Sequence, residues 1–191
     1  MKFDKIALLL ILVTCALGAR FLGLTPGSGP RLPAPKAAVH LVPLFGETTP
    51  DLTNLQTRIE SFTGRPVVLH EPVGLDPKAF DSDRRQFNAE LLCSTLESAP
   101  GQFRLAITDQ DLFTSAKPEW GFCFGTRFEG GGLISSARMG DAGKREERLA
   151  KMSLRYVLEG AYAMQRVNNP RSLLHSPVLG AGDLDNMEYR L

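Results

Sequence analysis

The sequence predicts a single α/β domain behind an apolar N-terminus, on three observations. Short β-type apolar runs alternate with segments of helical periodicity. A proline- and glycine-rich stretch sets the first two dozen residues apart from the rest. A chain of 191 residues with 43% hydrophobic content supports one real core and not comfortably two. The formal net charge of +1 supplies neither a basic field for a phosphate backbone nor an acidic tail, so nucleic acid is excluded as the expected partner.

Lys2 and Lys5 precede an uncharged run from Ile6 to Ala19, which ends at Arg20. A bilayer-spanning helix needs roughly 17 to 25 apolar residues, and this shorter run suits a signal-peptide core. Residues 1–24 are therefore read as a signal peptide or membrane anchor. Three fates stay open: cleavage after Gly18 or Ala19, lipidation at Cys15, or retention as an anchor if Phe21 to Leu24 lengthen the span. The alternative is a buried N-terminal helix. The expected location is exported, membrane-anchored through the N-terminus or periplasmic or extracellular. Residues 25–37 read as a linker, because Thr25 to Pro35 is too rich in proline and glycine for a helix or a central strand. The domain spans 38–191, and in it Cys93 and Cys123 either pair or stand as separate buried thiols.

Within the domain, Ala38 to Phe45 is a β-type run. A helix from about Asp51 to Phe62 follows, with Leu52, Leu55, Ile59 and Phe62 near helical spacing, and then a strand over Val67 to His70. The apolar set Phe87, Leu91, Leu92 and Leu96 predicts a second helix from about Ser82 to Leu96, before a strand at Phe103 to Ile107. Phe122 to Phe124 and Leu133 to Ala137 predict two more strands around the glycine loop Glu129 to Gly132, which has the length of a hairpin connection. A long helix is expected from about Lys144 to Val167, its stripe running from Leu149 through Met152, Tyr156 and Val157 to Ala163 and Met164 and stopped by Asn168-Asn-Pro170. The tail from Ser172 to Leu191 is short and partly irregular.

Four segments, in order, resemble the archaemetzincin family of metzincin-type zinc metallopeptidases. Asp83-Arg-Arg-Gln-Phe-Asn88, ahead of Leu91-Leu92, is similar to that family's arginine-glutamine-aromatic-asparagine helix start. Ile107-Thr-Asp-Gln-Asp-Leu-Phe113 resembles its Ile-Thr-Asp-x-Asp-Leu-aromatic strand end, and Phe122-Cys-Phe-Gly125 its aromatic-x-Phe-Gly strand. Leu133 to Arg138 stands where the family has the sheet edge beside its cleft. The family's zinc pattern runs H-E-x-x-H-x-x-G-x-x-H-C, then C-x-M, then C-x-x-C. Laid without a gap from Arg155, it puts Tyr156 on the glutamate, Glu159 and Gln165 on the other two histidines, and Tyr162 on the glycine. Arg166 and Arg171 take the first two cysteines, Leu173 the methionine and Leu191 the third cysteine.

The resemblance implies a twisted, mixed five-stranded sheet with two long helices and a short C-terminal subdomain below a cleft. It also implies a degenerate member. Arg155, Tyr156, Glu159 and Gln165 are former zinc-site positions; Arg166, Arg171 and Leu191 are former structural-zinc positions. Arginine stays protonated with no lone pair to offer, and tyrosine is a poor general base near neutrality, so no metal, no cofactor and no catalytic residue is expected. The expected function is that of a pseudopeptidase whose cleft binds a peptide or protein partner, with Leu133, Ile134, Ser135 and Ser136 as the candidate peptide-binding edge. The alternatives are a structural or assembly role at the membrane, favoured if Tyr156, Tyr162 and Arg155 fill the cleft, or an active zinc peptidase with unconventional ligands. Two pairings are expected: Arg155 with Glu159 across the former metal site, and Arg166 and Arg171 with the Leu191 carboxylate. His40, His70 and His175 are too scattered in sequence to form a replacement metal site. Asp109 and Asp111 are expected to cap a strand end, and Ser135 and Ser136 have no histidine at a spacing that makes a nucleophile.

Overall fold

The computed structural model describes residues 32–46, 51–96 and 98–191. The apolar N-terminus, Cys15 and most of the linker lie outside the described residues. Among the described residues no helix is long and apolar enough to cross a membrane.

In chain order the elements are β1 (Ala38–Phe45), α1 (Thr53–Thr63), β2 (Val67–Leu69), β3 (Val73–Gly74), β4 (Phe80–Asp81), β5 (Gln86–Asn88), α2 (Ala89–Ser94), β6 (Gln102–Thr108), β7 (Leu112–Phe113), β8 (Gly125–Phe128), β9 (Gly131–Ser135), α3 (Ala142–Gly160) and α4 (Ala181–Asn186). The main sheet runs β2-β1-β6-β9-β8, with β3 also against β1. Every pairing in it is parallel except β8 with β9, so a mixed sheet carries one antiparallel edge strand. Strands β4, β5 and β7 form a small second sheet.

Strand alternation divides the core in two. Val39, Leu41, Phe103, Leu105 and Ile107 face one side, where α1 delivers Leu55, Ile59 and Phe62 and α3 delivers Leu154, Val157 and Leu158. Val42, Leu44, Ala106 and Leu133 face the other and are covered by Ala89, Leu92 and Cys93 of α2. Helix α1 ends on Gly64 at φ 65°, a left-handed cap whose N–H returns to Glu60. Asp141 opens α3 by accepting from Lys144 N at 3.2 Å.

Three expected elements are corrected. The segment from Ser82 to Leu96 is not one helix. Arg85 turns left-handed at φ 54°, Gln86–Asn88 pair as β5, and Asn88 then caps the short α2 by accepting from Leu91 N at 3.0 Å. Long-range pairing with β7 outweighs the local periodicity here, and Leu91 ends half exposed. Phe122 to Phe124 is not a strand; the strand is β8, immediately after it, joined to β9 by a turn at Glu129 and Gly130 with Gly130 at φ 74°. Helix α3 stops at Gly160 and does not reach Val167. Ala163 turns left-handed at φ 54°, and Met164 N closes the end on the Leu158 carbonyl at 3.0 Å.

Cys93 and Cys123 are both free and buried, and burial, first of all, pushes each thiol up to about 12. His40 and His70, far apart in sequence, meet: β1 and β2 run side by side, and Nδ1 of His40 lies 2.7 Å from Nε2 of His70.

Two outcomes are expected. A Cβ on Gly160 would lie 1.9 Å from the buried Phe103 ring, so Gly160→Ala destabilises by about 1–3 kcal/mol in urea denaturation, reversing its usual helix benefit. Burial, the neighbouring His70 and then Arg104 hold the His40 pKa below its usual value. The native state therefore binds fewer protons than the unfolded chain. The stabilisation is present above about pH 6.5 and drains away as pH falls through the lowered value. Urea midpoints measured between pH 7.5 and 5 should show a drop that shrinks in His40→Gln.

Candidate functional site

The outer wall of the cleft is a loop held by a polar clamp. Gln86 Nε2 donates to Asp111 Oδ2 at 2.9 Å and to the Gly121 carbonyl at 2.8 Å. Arg138, just beyond β9, donates Nε to both Asp111 oxygens at 2.9 Å and Nη2 to Oδ2 at 2.5 Å, and its guanidinium sits 4.9 Å from the Phe122 ring centre. Arg84 donates to the Trp120 carbonyl at 2.8 Å. Three separated segments thus fix the connection from β7 to β8.

Inside this wall lies a cleft of about 660 Å³. Its rim is Gly125, Thr126 and Arg127 of β8; its back is Met152, Arg155 and Tyr156 of α3; Ser176 to Leu179 and Arg166 face them, with Glu119 and Trp120 at the mouth. The Tyr156 ring packs over Gly132, where a Cβ would come within 2.5 Å of it.

Glu159, one turn further along α3, has a side chain only 2% exposed and is ringed by three guanidinium groups. Its Oε2 accepts from Arg127 Nη1 at 2.9 Å, Arg166 Nε at 3.0 Å and Arg166 Nη2 at 2.9 Å. Its Oε1 lies 3.1 Å from Arg155 Nε, but neither atom is aligned for a hydrogen bond, so this contact is Coulombic. Burial lowers the Arg155 pKa from its ordinary value, with Glu159 opposing that shift, while the bonds to Glu159 raise that of Arg166. Helix α3 sets Arg155 and Glu159 one turn apart. The left-handed turn at Ala163 brings Arg166 back; a continued helix would have carried it roughly 10 Å further along the axis.

Of the residues singled out in sequence, Arg155, Tyr156 and Arg166 line the cleft, and Glu159 lies behind them in contact with both arginines. Gln165 is exposed and lines a smaller hollow on the far side of the cluster with Arg127, Glu159 and Arg166. Tyr162 is buried away from the cleft, and Leu173 is buried in the core. The expected pairing with the Leu191 carboxylate is not made. Arg166 is taken by Glu159, and Arg171 by Glu188 at 3.5 Å. Leu133, Ile134, Ser135 and Ser136 are not a sheet edge either. Leu133 to Ser135 lie in β9, buried between β6 and β8, and Ser136 follows, also buried. Ser135 Oγ donates to the Gln110 carbonyl and Ser136 Oγ to that of Thr108, as structural hydroxyls do. Asp111 serves the clamp, and Asp109 accepts from the Gln110 amide at 2.8 Å. His175 is buried in the C-terminal segment. Arg127 was missed: it sits on the true edge strand, and its only signal is its place next to the glycine hairpin.

A mixed sheet whose antiparallel edge strand borders a cleft backed by one buried helix defines an archaemetzincin-like fold. Solved structures that share it include archaemetzincin from Archaeoglobus fulgidus, complexed with malonate, at TM-score 0.65 and 16% identity over 80% of this chain and 94% of that one. Archaemetzincin from Methanopyrus kandleri matches at TM-score 0.64 and 19% identity, covering 84% and 92%. A zinc-dependent peptidase from Methanocorpusculum labreanum matches at TM-score 0.64 and 15%, covering 80% and 94%. No family model and no curated protein matches the sequence. The likeness is one of fold.

Removing Glu159 strands a buried guanidinium, whereas removing Arg155 leaves Glu159 with two partners. Glu159→Ala should cost about 3–5 kcal/mol and Arg155→Ala clearly less, about 1–3 kcal/mol, in chemical denaturation; equal losses would contradict this reading of the cluster.

Proposed function

We propose that this is a non-catalytic, archaemetzincin-like protein, a pseudopeptidase that binds a peptide or protein segment in its cleft. The observation that carries the reading is the arginine ring around Glu159, in which the family resemblance puts Arg155 and Glu159 at former zinc-site positions and Arg166 at a former structural-zinc position. The residues do not fit a zinc ion. Arg155 and Arg166 have no lone pair, and their charge opposes a cation. Glu159, the one carboxylate of the set, already has Oε2 engaged by two arginines. Tyr156 is buried, and burial, first of all, raises its pKa above that of an ordinary tyrosine, so it is no substitute for a general base at neutral pH.

The open volume supports binding over a purely structural role, because Tyr156 and Arg155 line the cleft rather than fill it and Tyr162 lies elsewhere. A cleft of this size suits a peptide segment. Strand β8 borders it with one edge not paired in the sheet, and an added strand could hydrogen-bond there. On the apolar run in residues 1–24, we place this binding domain outside the cytoplasm, held at a membrane or released from it.

The test is metal content of the purified full chain after incubation with zinc and removal of the excess. Clearly sub-stoichiometric zinc is expected, with no peptidase activity gained on loading. One tightly held zinc per chain would overturn the proposal.

A further inference from the structure

We infer that the cleft selects a peptide bearing a carboxylate, seated between Arg155, Arg166 and Arg127; this rests on the peptide-binding reading above. Three guanidinium groups line the cleft, against Glu159 at their centre and Glu119 at the mouth, so the charges at the site leave a positive surplus of about one. A single carboxylate cancels it.

Arg155 supplies the second observation. Its side chain is 6% exposed, yet it lines the cleft. Among the described residues the only hydrogen bond its guanidinium makes is a long one, Nη1 to the Met152 sulfur at 3.9 Å. A buried guanidinium is stable when its N–H groups meet oxygen acceptors, and Glu159 Oε1 stands near it without alignment. An arriving carboxylate supplies in-plane acceptors to Arg155, in the paired geometry that guanidinium groups favour. Arg166, half exposed, and Arg127, one-third exposed, reach the same space from the opposite wall and the rim.

The edge strand offers main-chain pairing beside these arginines. Ser135 N donates to the Phe124 carbonyl at 2.8 Å, which fixes the phase of the β8–β9 ladder and turns the main-chain groups of Arg127 to the open side. A strand added there pairs beside Arg127, which lines the same cleft as Arg155. The carboxylate has two sources, a peptide C-terminus or an aspartate or glutamate side chain, and the charge and geometry are common to both.

The experiment is calorimetric titration of the full chain with four acetylated peptides of one alternating Ala-Val sequence: the free acid, its C-terminal amide, the amide with one central Asp, and the amide with Asn in its place. Binding of one or both carboxylate peptides at least about tenfold tighter than the neutral ones is expected. The preference should collapse in Arg155→Met and weaken in Arg166→Gln, the exposed position that keeps the test meaningful if the buried variant folds poorly. Glu119→Gln should strengthen it. A tighter free acid assigns the site to chain ends; a tighter Asp peptide assigns it to acidic side chains. Equal binding of all four overturns the carboxylate inference and leaves peptide binding standing. Failure of all four to bind overturns both.

Discussion

A single buried carboxylate answering three guanidinium groups is the constraint on which this structure turns. Glu159 draws together pieces that share no local sequence logic: the edge strand through Arg127, the central helix through Arg155 and the chain after the helix through Arg166. Of these charges Glu159 and Arg155 are buried and costly alone; Arg127 and Arg166, partly exposed, satisfy Oε2 of Glu159, while Arg155 answers its charge without a hydrogen bond to it. The same logic runs down α3, which is buried almost all round from Arg148 to Glu159. Arg148 meets Asp185 through two bonds of 2.6 and 2.7 Å, and Lys151 donates to the Leu184 carbonyl at 3.2 Å. Helix α4 and the edge strand therefore answer the charges that a buried helix would otherwise have to lose.

A fold shared with proteins at 15–19% identity is kept by few side chains. The strongest local resemblance in sequence, around Gln86, Asp111 and Arg138, lies in the clamp that fixes the loop over the cleft. Backbone carbonyls at Trp120 and Gly121 lie outside the ladders, so Arg84 and the Gln86 amide serve them from outside, while Arg138 holds Asp111 and the Phe122 ring. The rest of the match depends on apolar volume at alternating and helical positions, which many sequences satisfy.

Much of this was legible in the residues. The β-type runs Ala38 to Phe45 and Phe103 to Ile107 and the helical stripe of Leu55, Ile59 and Phe62 are local signals, and β1, β6 and α1 sit where those signals put them. Local period fails where pairing is distant. Phe87 has helical spacing to Leu91 and Leu92, but its backbone pairs with β4 and β7. The sheet edge, expected at Leu133 to Ser136 from the resemblance, lies one strand further out at β8, and the apolar run Leu133-Ile134 carries no local sign of how many neighbours it has. Within the site, Arg155 and Glu159 were legible as a one-turn pair. Arg127 and Arg166 were not, since a hairpin and a left-handed turn carry them there. The meeting of His40 with His70 is likewise a matter of strand register.

The amide of Lys36 donates to the carbonyl of Ala161 at 2.6 Å, and that of Ala38 to Gly101 at 2.8 Å. The chain thus enters the domain beside the end of the helix that carries the cluster and passes at once into β1, which lies between parallel neighbours in the main sheet. Tension drawn along the N-terminal chain would load β1 lengthwise, in shear, so that its ladder bonds share the force instead of opening one after another. A molecule pulled from that end is held by the strongest direction its sheet has.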